Sequence, residues 1–385
     1  MARSNRKMKI CYIHHAGYPQ IGRITFFEYS QKAAWQGLDV SVICTKDNRN
    51  AEQMASSPAI NVYEIPLDKI GRQASLAFFR RAAAIIDKIQ PDIVHCFHSR
   101  GAGMLPLLVR RQKNRPRFIL DIRSGHLSKG LKGCVGRLAN YLETLPFDAV
   151  AFIDPKIQHY AIGERMVHKP VFYFPLGVDW KIFAHGHGER VENNFAFRDN
   201  GIVAVYSGKL APSRDLRPLV RALALVIKEM PFVHVVFLGD GPDREELKRL
   251  GCELGIGHNL HFRGLVPFLE IPAYYRTAQI GLSYVPILPQ FDNQPPLKVL
   301  EYMAAGLVVV ATKTSYHEKI IVDGYNGFLV DDTPYAIAFR LAEVVSQLEN
   351  MDVIRENAQK TARKFDWHEI FRTRILPAYH SLGGI

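Results

Sequence analysis

The chain has 385 residues, 48% of them hydrophobic, enough for a large core and more in keeping with two domains than one. Its formal net charge of +12 bears on negatively charged partners rather than on fold. Five scattered cysteines, Cys11, Cys44, Cys96, Cys134 and Cys252, form neither a disulfide framework nor a zinc pattern, which suits a reducing cytoplasm. No apolar run reaches membrane-spanning length.

The start, MARSNRKMKICYIHHAG, is basic and then apolar in the manner of a signal peptide. Its apolar part is short and lacks a small-residue cleavage pattern, so it reads as a tail entering a first β-strand. Further apolar, β-branched runs follow: DVSVICT, DIVHCF, RFILDI, AVAFID and VFYFP, then IVAVYSG, VHVVFLGDG, LHFRG, IGLSYVP, VVVAT and GFLVDD. Continuous apolar strands alternating with helical stretches predict parallel sheets covered on both faces. The polar stretch AHGHGERVENNFAFRDNG parts the two series. The expected organisation is therefore a first domain over 1–183, a linker over 184–200, a second domain over 201–365, and a terminal helix over 366–385 that crosses back to the first domain. In open α/β sheets ligands sit at the carboxyl ends of the strands, so two facing sheets place the site in the cleft between the domains.

Between Arg100 and Arg137 ten basic residues stand against one acid, Asp121. This is either a solvated basic face or a surface for anionic lipid or a phosphorylated acceptor, with about 1 kcal/mol per Lys or Arg held near an anionic membrane. Neither zinc-finger spacing, an RNP-like aromatic motif nor a basic heptad region accompanies it, so no nucleic-acid partner is expected.

In the second half, VYSGKLAPSRDLRPLV runs from a strand through a glycine turn to two cations, Lys209 and Arg214, before a helix. The spacing is not that of a Walker loop, but cations beside a helix start make a seat for a diphosphate. FLGDGPDREEL ends a strand in a Gly-Asp-Gly turn, where Asp240 has an ordinary reading as turn and cap chemistry. FDNQPPLKVLEYMAAG reads as a short helix with prolines at its entry and Gly306 as its stop. Glu301 lies beside that helix's apolar stripe, an expensive place for a carboxylate without a partner.

YSGKLAPSRDL, GDGPDREEL, FRGLVPFLEIPAYYRTAQIGLSYVP, PPLKVLEYMAAGLVVVAT and VDGYNGFLVDD follow one another in an order that resembles the retaining glycosyltransferases of the GT-B fold, family 4. The resemblance covers nearly all of 200–332, with weaker echoes in QGLDVSVI, PDIVHCFHS, PLGVDWKIF and FDWHEIFRTRILPAYH. It implies two Rossmann-like domains facing across a cleft. The implied activity is transfer of a sugar from a nucleotide-diphosphate sugar, such as a UDP- or GDP-sugar, to a glycan or lipid-linked hydroxyl acceptor in polysaccharide or glycolipid synthesis. Retention of configuration, no cofactor and no required metal are implied as well, as is a cytoplasmic place, peripheral at the inner face of a membrane.

The resemblance assigns roles to particular positions. In the family an Arg and a Lys of a G-R-L-x3-K-G pattern bind the donor diphosphate, and GKLAPSRD sets Lys209 and Arg214 there with their identities exchanged. Fixed cations stabilise the charge of the departing diphosphate, and losing one such group commonly costs about 3–4 kcal/mol of barrier. Glu301 matches the second glutamate of E-x7-E, which hydrogen-bonds the donor ribose; the bland account is a Lys298–Glu301 surface pair at i, i+3. The first glutamate is replaced by Asn293, next to Asp292, and Pro295 and Pro296 remove N–H groups that the family aims at the sugar. A changed grip through the Asn293 or Gln294 side chain and the Leu297 N–H follows. Gly208, Asp240, Gly241, Val266 and Lys298 complete the implied donor side, and Gly22 stands where the family has a glycine-rich loop facing the phosphates. No histidine aligns at the end of the fourth strand, where FILDIRSGH offers Asp121 and Arg123, with His126 slightly later. His98 is a further cleft candidate or an ordinary strand-end histidine, and His14 and His15 have the same two readings.

Three alternatives remain. An epimerase or phosphorylase would keep the fold and change the chemistry. A non-catalytic nucleotide-sugar or glycan-binding protein would explain the missing glutamate. A dinucleotide-dependent oxidoreductase needs a G-x-G-x-x-G turn after its first strand, which HHAGYPQIG does not supply.

Overall fold

The computed structural model describes residues 6–15, 24–46, 60–66, 72–109, 114–125, 130–185, 201–288, 291 and 297–383. Gly22, His126, Asp292, Asn293, Gln294, Pro295 and Pro296 lie outside the described residues, as does 186–200 of the expected linker. The chain divides into two compact units: residues 1–176 with 367–385, and residues 177–366.

Among the described residues the first unit has seven strands: β1 (Lys9–His14), β2 (Asp39–Thr45), β3 (Asn61–Ile65), β4 (Ile93–Phe97), β5 (Arg117–Ile122), β6 (Ala149–Phe152) and β7 (Val171–Tyr173). They pair in parallel in the order β3-β2-β1-β4-β5-β6-β7. The order reverses direction between β1 and β4, which is where a doubly wound sheet opens its ligand crevice. The apolar runs produce this sheet because strands with helices on both faces must be apolar on both; every residue of β4 and β6 is buried. The reading above omits β3. It is an edge strand with only Ile65 buried, so its sequence carries no apolar run. Between the strands lie α1 (Ile24–Trp35), α2 (Arg72–Ile89), α3 (Met104–Leu108), α4 (Gly130–Thr144) and α5 (Pro155–Ile162). The last begins as its sequence dictates, with Asp154 accepting from the Ile157 N–H at 2.8 Å and proline in the first turn.

The second unit starts with α6 (Trp180–His185), so 177–183 belong to it rather than to the first domain, and 184–185 are helix rather than linker. Its six strands, β8 (Ile202–Ser207), β9 (Val233–Leu238), β10 (Leu260–Gly264), β11 (Ile280–Ser283), β12 (Val308–Thr312) and β13 (Phe328–Val330), are parallel in the order β10-β9-β8-β11-β12-β13. The switch point here is between β8 and β11. Around the sheet pack α7 (Arg217–Glu229), α8 (Arg244–Glu253), α9 (Ile271–Thr277), α10 (Leu297–Ala304), α11 (His317–Ile320), α12 (Pro334–Ser346) and α13 (Asp352–Arg363). α10 ends in a Schellman turn: Gly306 N–H reaches Met303 O at 3.1 Å and Leu307 N–H reaches Tyr302 O at 3.0 Å.

The chain ends with α14 (Trp367–Ile370), a π-helical turn over 371–375, and α15 (Leu376–Gly383). Their side chains Trp367, Phe371, Ile375 and Tyr379 are part of the core that holds Tyr12, Tyr29 and Ile119 of the first unit.

Candidate functional site

At the carboxyl end of β8 the chain passes Ser207 and turns through Gly208, Lys209 and Leu210. The Gly-Asp-Gly turn after β9 lies directly on that loop. A Cβ at Gly239 would stand 1.9 Å from Gly208 O and one at Gly241 2.0 Å from Leu210 O, and both glycines have positive φ, +142° and +155°. Only glycine fits at either place. Backbone bonds fasten the two segments: Gly208 N–H to Leu238 O at 2.8 Å and Leu210 N–H to Asp240 O at 3.0 Å. Asp240 accepts from the Gly241 N–H at 2.8 Å and lies 3.6 Å from Arg244, which is the turn chemistry its sequence position predicts.

Three cations collect around this loop. Lys209 is exposed and Arg214 half-buried, and neither makes an ion pair among the described residues. The Arg214 guanidinium lies 5.5 Å from the Phe291 ring centre. Lys298, from the first turn of α10, sets its ammonium 3.9 Å over the Tyr206 ring, and the missing Cβ of Gly208 would stand 3.4 Å from it. Burial, with the Arg214 charge adding to it and Glu301 opposing, lowers the Lys298 pKa to about 7. Such a group gains by meeting an anion.

One turn further along α10, Glu301 is only 8% exposed. The Tyr275 hydroxyl lies 3.1 Å from its Oε2 and 2.8 Å from Ser207 Oγ, so one proton serves two acceptors. Ser207 in turn donates its N–H to the Tyr302 hydroxyl at 2.8 Å. Glu301 Oε1 has no hydrogen bond among the described residues. Burial pushes the Glu301 pKa up to about 7, against the Tyr275 bond and the Lys298 charge. The carboxylate is thus held by one edge, with its other oxygen left to accept.

The structure brings Lys209, Arg214, Gly208, Lys298 and Glu301 close together, along with Tyr275, Ser207 and Tyr302, which the sequence reading did not single out. Ser207 and Tyr302 meet only through tertiary packing, and Tyr275 lies in PAYYRTAQ with nothing to separate it from a core tyrosine. Val266 is a buried core residue and Leu297 opens α10. His317, unremarked in the sequence, is wholly buried, joined to Ser283 Oγ at 2.9 Å and to Thr312 O, and burial holds its pKa down at about 4. It ties the ends of β11 and β12 as a neutral ring.

In the first unit the structure corrects the assignment of Asp121. The carboxylate is fully buried, 3.2 Å from His95 Nε2 and 3.6 Å from Arg123 Nη1. His95 Nδ1 lies 2.8 Å from the Tyr379 hydroxyl, which donates to Tyr12 at 3.0 Å. Arg123 donates to Phe174 O at 2.7 Å and to the Tyr29 hydroxyl at 3.1 Å. Asp121 therefore has no surface for a substrate; it organises a buried network that fastens α15 to β4. Arg123 keeps Nε and Nη2 without hydrogen-bond partners. His98, at the end of β4, has its Nε2 unpartnered and its pKa lowered, chiefly by burial. Among the described residues no group of three or more His, Cys, Asp or Glu could hold a metal ion.

The family model for glycosyl transferases group 1 matches residues 189–361, and that for glycosyl transferase 4-like domains matches 9–129. Together they cover the whole second sheet and strands β1–β5 of the first. The chain belongs to the GT-B glycosyltransferases of family 4. A curated relative of this glycosyltransferase, named "Putative glycosyltransferase EpsD", from Bacillus subtilis, is 27% identical over 311 residues, 76% of this chain and 77% of that protein. Among solved structures, a glycosyltransferase from Rickettsia africae superposes with a TM-score of 0.78 at 17% identity, covering 98% of each chain. HepE from Anabaena, solved with UDP-glucose, gives 0.75 at 18% identity, covering 97% of this glycosyltransferase and 100% of that chain.

Proposed function

We propose that this glycosyltransferase moves a sugar from a nucleotide-diphosphate donor to a hydroxyl of a glycan or lipid-linked acceptor, retaining the anomeric configuration. The observation that carries the reading is a set of three cations, Lys209, Arg214 and Lys298, around Gly208, with the free edge of Glu301 one helical turn away. The diphosphate sits on the 208–210 turn, and the ribose hydroxyls donate to Glu301 Oε1. As the glycosidic bond breaks, negative charge grows on the diphosphate and the cations already in place stabilise it. The acceptor oxygen attacks from the same face, and its proton passes to the departing phosphate oxygen. The chain's own cations give the neutralisation that a metal would otherwise supply, so the reaction proceeds without one. The UDP-glucose in the Anabaena relative supports a nucleotide-sugar donor.

A thermal-shift panel of UDP-, GDP- and ADP-sugars identifies the donor, because a ligand selective for the native state raises apparent stability. One nucleotide class is expected to raise the midpoint, and the same donor to give a product only when acceptor is present. Donor turnover unchanged in both Lys209→Ala and Glu301→Ala would overturn the site. Epimerised or phosphorolysed donor without acceptor product would overturn the transfer.

A further inference from the structure

The amino-terminal edge of the first sheet carries polar side chains where a helix-covered sheet is normally apolar. Lys9 stands in register with Asp39, Ser41 with Asn61, and Ile43 with Tyr63. Register partners share a face and every second residue returns to it, so Lys9, Asp39, Ser41, Asn61 and Tyr63 lie on one face of β1, β2 and β3. Further along the same face Cys11, Ile13, Ile43 and Ile65 are all buried.

At the polar part a cavity of about 280 Å³ opens, lined by these five residues and by Lys88 from the last turn of α2. Ser41 is only 8% exposed, and Lys9, Asp39 and Tyr63 are half-buried. None of the six side chains makes a hydrogen bond or ion pair among the described residues; Lys9 and Asp39 stay unpaired although they are register neighbours. Polar groups that converge on a concavity without bonding one another are available to a ligand. The frame around them is fixed. Lys9 N–H donates to Asp92 Oδ2 at 2.8 Å, and Asp92 N–H to Lys9 O at 2.9 Å. Just after Lys88, Gln90 closes α2 with φ +48°, a conformation costly for a residue other than glycine, and donates its N–H to Ile86 O at 2.9 Å.

We propose that this cavity binds a phosphorylated monosaccharide. Two ammonium groups are point charges suited to a phosphate. The Asp39 carboxylate, with Ser41, Asn61 and Tyr63, offers acceptors and donors to sugar hydroxyls. A bare anion would meet Asp39 as a like charge, and a neutral sugar would leave both lysines unmatched. The volume lies just below the range of about 300–1,000 Å³ usual for small-molecule pockets, which suits one sugar ring rather than a nucleotide sugar. The place separates this ligand from the transfer reaction. Open α/β sheets hold their reacting ligands at the carboxyl ends of the strands, and this cavity is at the opposite ends. The proposed donor site lies in the other unit, so the two readings stand or fall separately.

The test is titration calorimetry of the full chain with glucose 6-phosphate, glucose 1-phosphate and mannose 6-phosphate, with glucose and inorganic phosphate for comparison. At least one hexose phosphate is expected to bind one to one, about tenfold or more tighter than either comparison ligand. Lys9→Ala and Lys88→Ala should each lower that affinity about tenfold, with the thermal midpoint of the ligand-free protein unchanged. Asp39→Asn should weaken hexose phosphate binding and leave that of inorganic phosphate no weaker, whereas Lys209→Ala should alter neither. Silence from all three hexose phosphates, or undiminished binding by the double lysine variant, would overturn the site. Inorganic phosphate binding as tightly as the hexose phosphates would give the lysines to a simple anion, and loss of binding in Lys209→Ala would move the ligand to the donor loop; either result sinks the proposal.

Discussion

Two carboxylates, one in each sheet's surroundings, show how one architecture treats the same group in opposite ways. Asp121 stands on β5 of the first unit, fully enclosed, with His95 and Arg123 around it. Glu301 stands on α10 of the second unit with one oxygen bonded to Tyr275 and the other without a hydrogen bond among the described residues. The first is closed off inside the protein, its Oδ2 held beside His95 and Arg123 and its Oδ1 buried without a hydrogen bond among the described residues, and it serves the packing of α15. The second is left short of partners, which is a cost to the fold and a resource for a ligand. The cations differ too: Arg123 pairs with Asp121 and donates to Phe174 O and Tyr29, with Nε and Nη2 left over, whereas Lys209 and Arg214 make no ion pair among the described residues.

The sharpest way to break this contrast is to remove an uncommitted cation. Arg214→Ala should lower kcat with the identified donor about 10²–10³-fold, while the thermal midpoint changes little. A fall in stability with catalysis intact would make Arg214 a structural cation. The next largest effect comes from exchanging each carboxylate for its amide. Asp121→Asn breaks a buried charged network and should cost about 3 kcal/mol of stability in denaturant unfolding, leaving the donor affinity of the folded fraction unaltered. Glu301→Gln should weaken donor binding about 10–100-fold by calorimetry, without loss of stability. The same response from both variants would erase the distinction.

A smaller effect is expected in the pH dependence of the ligand-free protein. Glu301 has its pKa raised from 4.5 to about 7, so across that window the native state holds a proton that the unfolded state has lost. Its contribution to stability therefore falls as pH rises from 4.5 to 7. Lys298 has its pKa lowered from 10.5 to about 7, so above 7 the unfolded state binds more protons and stability rises. The pair thus gives a shallow minimum near neutrality. Denaturant unfolding against pH should show the lower limb flattened in Glu301→Gln, and moved to higher pH in Tyr275→Phe, which removes a bond that favours the carboxylate. Curves superimposable on the parent's would mean that Glu301 is solvated like an ordinary surface acid.

Much of this was legible in the sequence, for identifiable reasons. Strands buried on both faces must be continuously apolar, so twelve of the thirteen strands among the described residues announce themselves; β3, at an edge with one buried residue, has no such requirement. The cation pair and Glu301 stand out because charge interrupts strand ends and an apolar helix. Tyr275, Ser207 and Tyr302 do not, because their meaning arises only where three distant segments meet. Asp121 was misplaced for the converse reason: a strand-end acid looks the same in sequence whether it faces a ligand or a buried histidine.

The contact between the Gly-Asp-Gly turn and the 208–210 loop sets a limit on how this enzyme can be reshaped. Main chain meets main chain there, with no side chain in between to trim or swap. A library that randomises 239 or 241 would yield almost only dead clones, whatever donor is selected for. Diversity placed at Tyr275 would instead vary the proposed grip on the ribose while leaving that main-chain contact unchanged. The geometry thus separates a gauge that must stay fixed from a fitting that can be exchanged.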